Sequence, residues 1–214
     1  FKIPLIFYGE NGEVEYGGDL NKETSRVTLD EIRRIFLEDG YSRIYKNLKS
    51  QNKSTYWFEL PDAEEKNFHI THWSYFEPWD SYRNYLVAKD KCGLIESEDT
   101  NFATFTNFAQ TDQALYDLHT YLMYLKFGFG RATQDAGIEI RRGAMTRDQG
   151  VNLVKLYDGH YPENYIQKYL TYYEITKQEF DEVLSKWVNK NLFYKCEKTK
   201  IWKPKFEIDK DFEI

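Results

Sequence analysis

The sequence predicts an α/β platform followed by a mostly helical region, and three observations carry that expectation. FKIPLIFY at 1–8 is a short, continuously apolar run, the pattern of a strand buried inside a parallel sheet. Residues 67–93 read as a strand followed by a helix, the unit from which such sheets are wound. From residue 111 onward apolar residues recur at helical spacing.

The elements follow in order. An inner strand at 1–8 needs neighbours on both sides, so a further segment upstream is expected. Gly9, Gly12, Gly17 and Gly18 make 9–18 a loop. Thr28 and Glu31 form a capping-box pattern, Leu29, Ile32, Ile35 and Phe36 give an apolar face, and Gly40 reads as the end of that helix. Residues 46–67 are polar, an exposed excursion around WFEL at 57–60. NFHITHWSYF at 67–76 alternates as a strand does, and EPWDSYRNYLVAKDKCG at 77–93 reads as turn, helix and glycine stop. CGLIESEDTN then turns polar, which sets a division into 1–95 and 96–214.

Beyond it, Ala114, Leu115, Leu118, Leu122 and Leu125 form one apolar stripe, and helices are expected at 131–142, 146–158 and 162–172. Arg131, Asp135, Glu139 and Arg142 share one helical face, and Ala132, Ala136 and Ile140 another. Thr146 with Gln149, and Thr176 with Glu179, are capping boxes; the second opens a helix that would bury Phe180, Val183, Leu184 and Trp187. The tail, NLFYKCEKTKIWKPKFEI, suits an extended pair or an arm packed by its aromatics.

Composition narrows the function classes. The 214 residues are 41% hydrophobic and 30% charged, as in ordinary globular proteins. A net charge of −6 without a basic stripe argues against a dedicated nucleic-acid binder. Cys92 and Cys196 are the only cysteines and form no CxxC pair, so neither a disulfide framework nor an all-cysteine zinc site is expected within the chain. His69 and His72, three apart in a strand, point to opposite faces and are poor joint ligands; His119 reads as a packed histidine and His160 as a turn residue. No apolar run approaches the ~20 residues of a membrane span, and cytoplasmic residence is the default. The 18 Tyr, 15 Phe and 5 Trp serve either core packing or ring-lined ligand contacts.

Four segments together carry a family resemblance: YGENGEVEYGG at 8–18, EPWDSYRNYLVAKDKCG at 77–93, TFTNFAQTDQ at 104–113 and FGFGRATQDAGIEIRRGAMTRDQGVNLVKLYDGHYP at 127–162. In these the chain resembles the C-terminal portion of the N-acetyl sugar amidotransferases, which convert an acetamido group on a bacterial sugar to an acetamidino group. Relatives carry glycine before the aromatic of the TFTNF-like segment, where this chain has Ala103 or Thr104. The resemblance implies the C-terminal part of a doubly wound PP-loop sheet, of the adenine nucleotide alpha hydrolase-like kind, followed by a mostly helical domain. It implies an enzyme that uses ATP with Mg to activate the acetamide oxygen and ammonia from a glutaminase partner to displace it. The family's SGGxDS-like phosphate loop and its paired cysteines do not occur in these residues. ATP, and zinc if present, are therefore expected on a segment outside this chain, which would be inactive alone. The implied substrate is an N-acetylated sugar, free or nucleotide-linked, of a lipopolysaccharide O-antigen or flagellar glycan, with pseudaminic, legionaminic and mannosaminuronic derivatives as candidates; neither nucleic acid nor membrane is an expected partner.

Ligands of doubly wound sheets bind beyond the carboxyl ends of the strands, where Gly9, Glu10 and Asn11 fall. Gly9 would permit close backbone approach, Glu10 would bind a hydroxyl or take up a proton from ammonia, and Asn11 would bond the acetamido group. The plainer alternative is that Glu10 and Asn11 shape a turn. Glu15, Tyr16 and Gly17 match the family's EYGG and are substrate-contact candidates, or else an exposed loop. Arg131, Asp135, Glu139 and Arg141 are candidates too, Arg131 as the cation for a substrate carboxylate or phosphate. Their plainer alternative is i,i+4 pairing on an exposed helix. A non-catalytic reading also stands, in which the helical half is a docking or carbohydrate-binding module.

Overall fold

A computed structural model describes residues 3–12, 26–28, 39–56, 69–111 and 113–210. The described chain is mixed α/β, mostly helical, with two small two-stranded sheets. It divides into two compact units, Phe1–Trp79 and Asp80–Ile214.

In the first unit, β1 (Leu5–Tyr8) pairs in parallel with β2 (His69–His72), in register from Leu5 opposite His69 to Tyr8 opposite His72. Val27 bridges the other side of β2 through its N–H to the Ile70 carbonyl, 2.8 Å. Parallel pairing is as the apolar run predicts, but burial is not. Leu5 is 48% and Tyr8 51% exposed, whereas Ile70 and Thr71 of β2 are buried. A parallel strand is buried only when strands flank it and helices cover both faces; the described residues give β1 one strand neighbour. The expected inner strand is therefore a half-exposed one in this chain.

Helix α1 (Asp39–Ser50) runs through Gly40, which the sequence marks as a stop. Glycine is well tolerated near a helix start, so its presence alone does not fix which end it marks. The expected helix behind Thr28–Glu31 and the WFEL segment lie outside the described residues. After β2 the backbone tightens into a 3₁₀ turn at Trp73–Tyr75, so the strand expected to 76 ends at His72. There the Phe7 ring lies 6.0 Å from those of Trp73 and Phe76.

The second unit begins with α2 (Ser81–Cys92), capped by Asp80, whose Oδ1 accepts from Arg83 N at 2.9 Å, and ended by Gly93 at φ +70°. Helix α3 (Tyr116–Phe127) is central. Its Leu118, Tyr121, Tyr124 and Leu125 are buried with residues of α6 (Ile166–Tyr173) and α7 (Lys177–Trp187), and with Val188 and Phe193. Each large apolar side chain so buried stabilises by about 1.5–3 kcal/mol. Tyrosines take part of the face expected of leucines: Leu122 is exposed, as are Val183 and Trp187 of α7 and His119 of α3. Phe180 and Leu184, four apart, form the narrower stripe that meets the core.

Gly128 at φ +86° ends α3, and Asn189 N donates to the Leu125 carbonyl at 3.0 Å. Helix α4 (Arg131–Arg141) packs on α5 (Arg147–Tyr157) through the small face the sequence shows. A Cβ on Gly150 would come within 2.8 Å of Ile140 Cδ1 and 3.4 Å of the Ala136 Cβ, so glycine permits this approach. Both capping boxes, Thr146–Gln149 and Thr176–Glu179, form reciprocally. The tail is an antiparallel pair, β3 (Phe193–Lys195) with β4 (Trp202–Pro204). Among the described residues no helix is long and apolar enough to cross a membrane.

Candidate functional site

In the first unit, Gly9, Glu10 and Asn11 leave the carboxyl end of β1 as the sequence predicts. Asn11 is buried, and its Nδ2 donates to Ser74 Oγ at 3.0 Å, which ties the exits of the two parallel strands together. The side chain of Glu10 is exposed beside it. A Cβ on Gly9 would meet nothing within 4 Å, so close packing does not require glycine there. Glu15, Tyr16 and Gly17 lie outside the described residues.

In the second unit the first turn of α4 is closed by Asp158, from the end of α5. Its Oδ2 accepts from Gly130 N at 2.8 Å and its Oδ1 from Ala132 N at 2.9 Å, with the Thr133 hydroxyl adding a further donor. A helix N-terminus is a natural anion site because its first N–H groups lack partners. Here the protein's own carboxylate fills it. Glycine at 130 permits this close approach, since a Cβ would lie 2.6 Å from Asp158 Oδ1 and displace the carboxylate.

Arg131 departs from expectation. It is 3% exposed, its guanidinium carbon lies 4.8 Å from the Tyr116 ring centroid, and Nη2 donates to the Ala109 carbonyl at 2.7 Å. Its Nε stands 3.8 Å from Asp135 Oδ2. That oxygen also accepts from the hydroxyls of Thr104 and Thr106. The 97–111 loop is thus laid over α4 and closed on itself: Asn101 Nδ2 donates to the same Ala109 carbonyl at 2.6 Å, and Asn107 Nδ2 to the Ser97 carbonyl at 3.1 Å. Two of the motifs, TFTNFAQTDQ and the glycine-flanked helix, therefore form one structure. Ala103 takes φ +56°, the left-handed backbone that favours glycine.

Between this loop and α3 opens a cleft of about 450 Å³, lined among others by Asp99, Asn101, Gln113, Asp117, Arg131 and Tyr165. Burial pushes the Asp117 carboxyl above the ordinary aspartate range, and the Arg131 charge partly opposes it. Burial does the same to Asp135, against the hydrogen bonds from Thr104 and Thr106 and the charge of Arg131. Sequence reasoning did not single out Asp99, Asn101, Asp117 or Tyr165, although the quoted 104–113 motif borders them.

Glu139 is bound at the far end of α4, where Arg142 Nε donates to its Oε2 at 2.9 Å and Arg142 Nη1 to Asp80 Oδ2 at 3.1 Å. Arg141 is exposed, with Nη1 3.1 Å from where a Gly137 Cβ would stand. Arg131 and Asp135 are thus brought together, while Glu139 braces the start of α2. Among the described residues no group of three or more His, Cys, Asp or Glu could hold a metal. With the α4 N-terminus filled by Asp158 and no SGGxDS-like loop in the sequence, nothing among the described residues fits an ATP phosphate site.

The class that emerges is a mixed α/β protein whose helical unit carries a polar cleft. Residues 102–208 match the family model described as the LPS biosynthesis protein WbpG-like, C-terminal domain, and the chain belongs to that family of lipopolysaccharide biosynthesis proteins. No curated protein matches the chain.

Proposed function

We propose that this chain is part of an ATP-dependent amidotransferase that converts an acetamido group of an N-acetylated sugar, bound for lipopolysaccharide, to an acetamidino group. The carrying observation is agreement between independent stretches: the family match spans 102–208, and two of the amidotransferase-like motifs, at 8–18 and 77–93, lie outside it. The parallel β1–β2 pair, with Glu10 and Asn11 at its carboxyl end, is consistent with the ligand edge of a doubly wound PP-loop sheet.

An amide oxygen is a poor leaving group; ATP, when bound, would transfer a phosphoryl or adenylyl group to it, so that the C–O bond breaks with that group as the nitrogen of ammonia adds. What falls to this chain is positioning and proton handling. Glu10, exposed at the strand exit, takes the proton that ammonia sheds as its nitrogen bonds to the acetamide carbon, and Asn11 holds the strand exits in place through Ser74. Ammonia comes from a glutaminase partner, and the need for ATP sets the step in the cytoplasm. Glu10→Gln in the full-length enzyme should lower amidine formation at least about tenfold with an unchanged melting temperature. Mass spectrometry of the sugar product measures it; wild-type turnover removes Glu10 from the site. Arg131→Ala is a poor probe, because it also removes the prop under Ala109.

A further inference from the structure

We infer that the cleft between the 97–111 loop and α3 is a carbohydrate subsite that takes an uncharged, hydroxyl-bearing ring and keeps anionic parts of the ligand out. Its size, about 450 Å³, is that of a small-molecule site and accommodates one sugar ring. Its lining supplies planar polar groups, the amide of Gln113 and the carboxylates of Asp99 and Asp117, which pair with hydroxyls as donors and acceptors, while the Asn101 amide holds the loop to the Ala109 carbonyl. Tyr165 adds an aromatic side chain to the lining.

Electrostatics decides against phosphate or carboxylate. An anion site needs a cation or backbone N–H groups that are not already neutralised. The one cation among the described lining residues, Arg131, is matched by Asp135 at 3.8 Å and spends Nη2 on the Ala109 carbonyl. The nearby helix terminus is occupied by Asp158. Asp99 and Asp117 then leave the lining with a negative balance that repels anions. Under this inference Arg131 holds the loop through the Ala109 carbonyl in place of receiving a substrate carboxylate or phosphate. The subsite's place in amide-to-amidine conversion rests on the function proposed above; its ligand preference does not.

The test is saturation-transfer NMR on the whole chain, with N-acetyl-D-glucosamine and N-acetyl-D-mannosamine as uncharged probes and inorganic phosphate and N-acetylneuraminic acid as anionic ones. The uncharged sugars should bind, the anions should not displace them, and Asp117→Asn or Gln113→Ala should weaken binding about tenfold or more while each variant melts as wild type does. Absence of sugar binding, binding indifferent to both substitutions, or displacement by phosphate overturns the inference. Amidine formation by the full-length enzyme, assayed separately, distinguishes the two proposals. Turnover without sugar in this cleft sinks the subsite alone; sugar in the cleft without turnover sinks only the reaction.

Discussion

Asp158 and Gly130 are joined by a 2.8 Å hydrogen bond from the glycine N–H to the carboxylate, so the residue that follows α5 caps the first turn of α4. Asp158→Ala strips the partners from Gly130 N and Ala132 N in a partly buried place. Loss of a cap costs about 0.5–2 kcal/mol, and unpaired buried donors push toward the upper end. Urea unfolding of the variant should show about 2 kcal/mol lost, and Asp158→Asn, which keeps an acceptor, about half of that.

Two buried tyrosines give an internal control. Tyr169 donates its hydroxyl to the Ala114 carbonyl at 2.8 Å, whereas the Tyr121 hydroxyl is buried with no hydrogen-bond partner among the described residues. Removing a satisfied hydroxyl strands the carbonyl, while removing an unsatisfied one relieves a desolvation cost. Tyr169→Phe should therefore lose about 1 kcal/mol by thermal or urea unfolding, and Tyr121→Phe should be neutral or gain up to about 1 kcal/mol. Equal losses in the two variants would contradict the assignment.

Acid titration tests the burial of Asp135. Its folded pKa is raised, first by desolvation, with Arg131 lowering and Glu139 raising it by their charges. A raised carboxyl pKa means the folded state holds the proton more tightly than the unfolded one, so this group's contribution is greatest below the unfolded value and is lost as pH rises through the folded one. In Asp135→Asn that downward slope above the ordinary aspartate value, 3.8, should flatten when stability is followed by urea unfolding at stepped pH. An unchanged slope would show that Asp135 titrates as an exposed aspartate does.

The local signals were the legible ones. Thr146–Gln149 and Thr176–Glu179 cap helices because that chemistry acts within one turn, and Gly93 and Gly128 stop helices because each adopts positive φ. Gly40 misled because the same residue suits either end of a helix. Arg131 and Asp135 were legible as a pair but not as a buried one: the i,i+4 spacing is the same on an exposed face, and burial comes from Thr104, Thr106 and Ala109, which lie 22 to 31 residues earlier in the chain. Asp99, Asp117 and Tyr165 share a cleft only through tertiary packing, which no periodicity encodes. The exposure of β1 was illegible for a related reason, since an apolar run records a preference for burial and not whether cover exists.

That strand has a practical consequence at the bench. Leu5, Phe7 and Tyr8 are about half bare, and the described residues offer β1 one pairing partner, so its remaining backbone groups form a template on which another molecule can add in register. A charged residue at Phe7 should then lower any self-association seeded at that ribbon, as light scattering of the concentrated chain would measure.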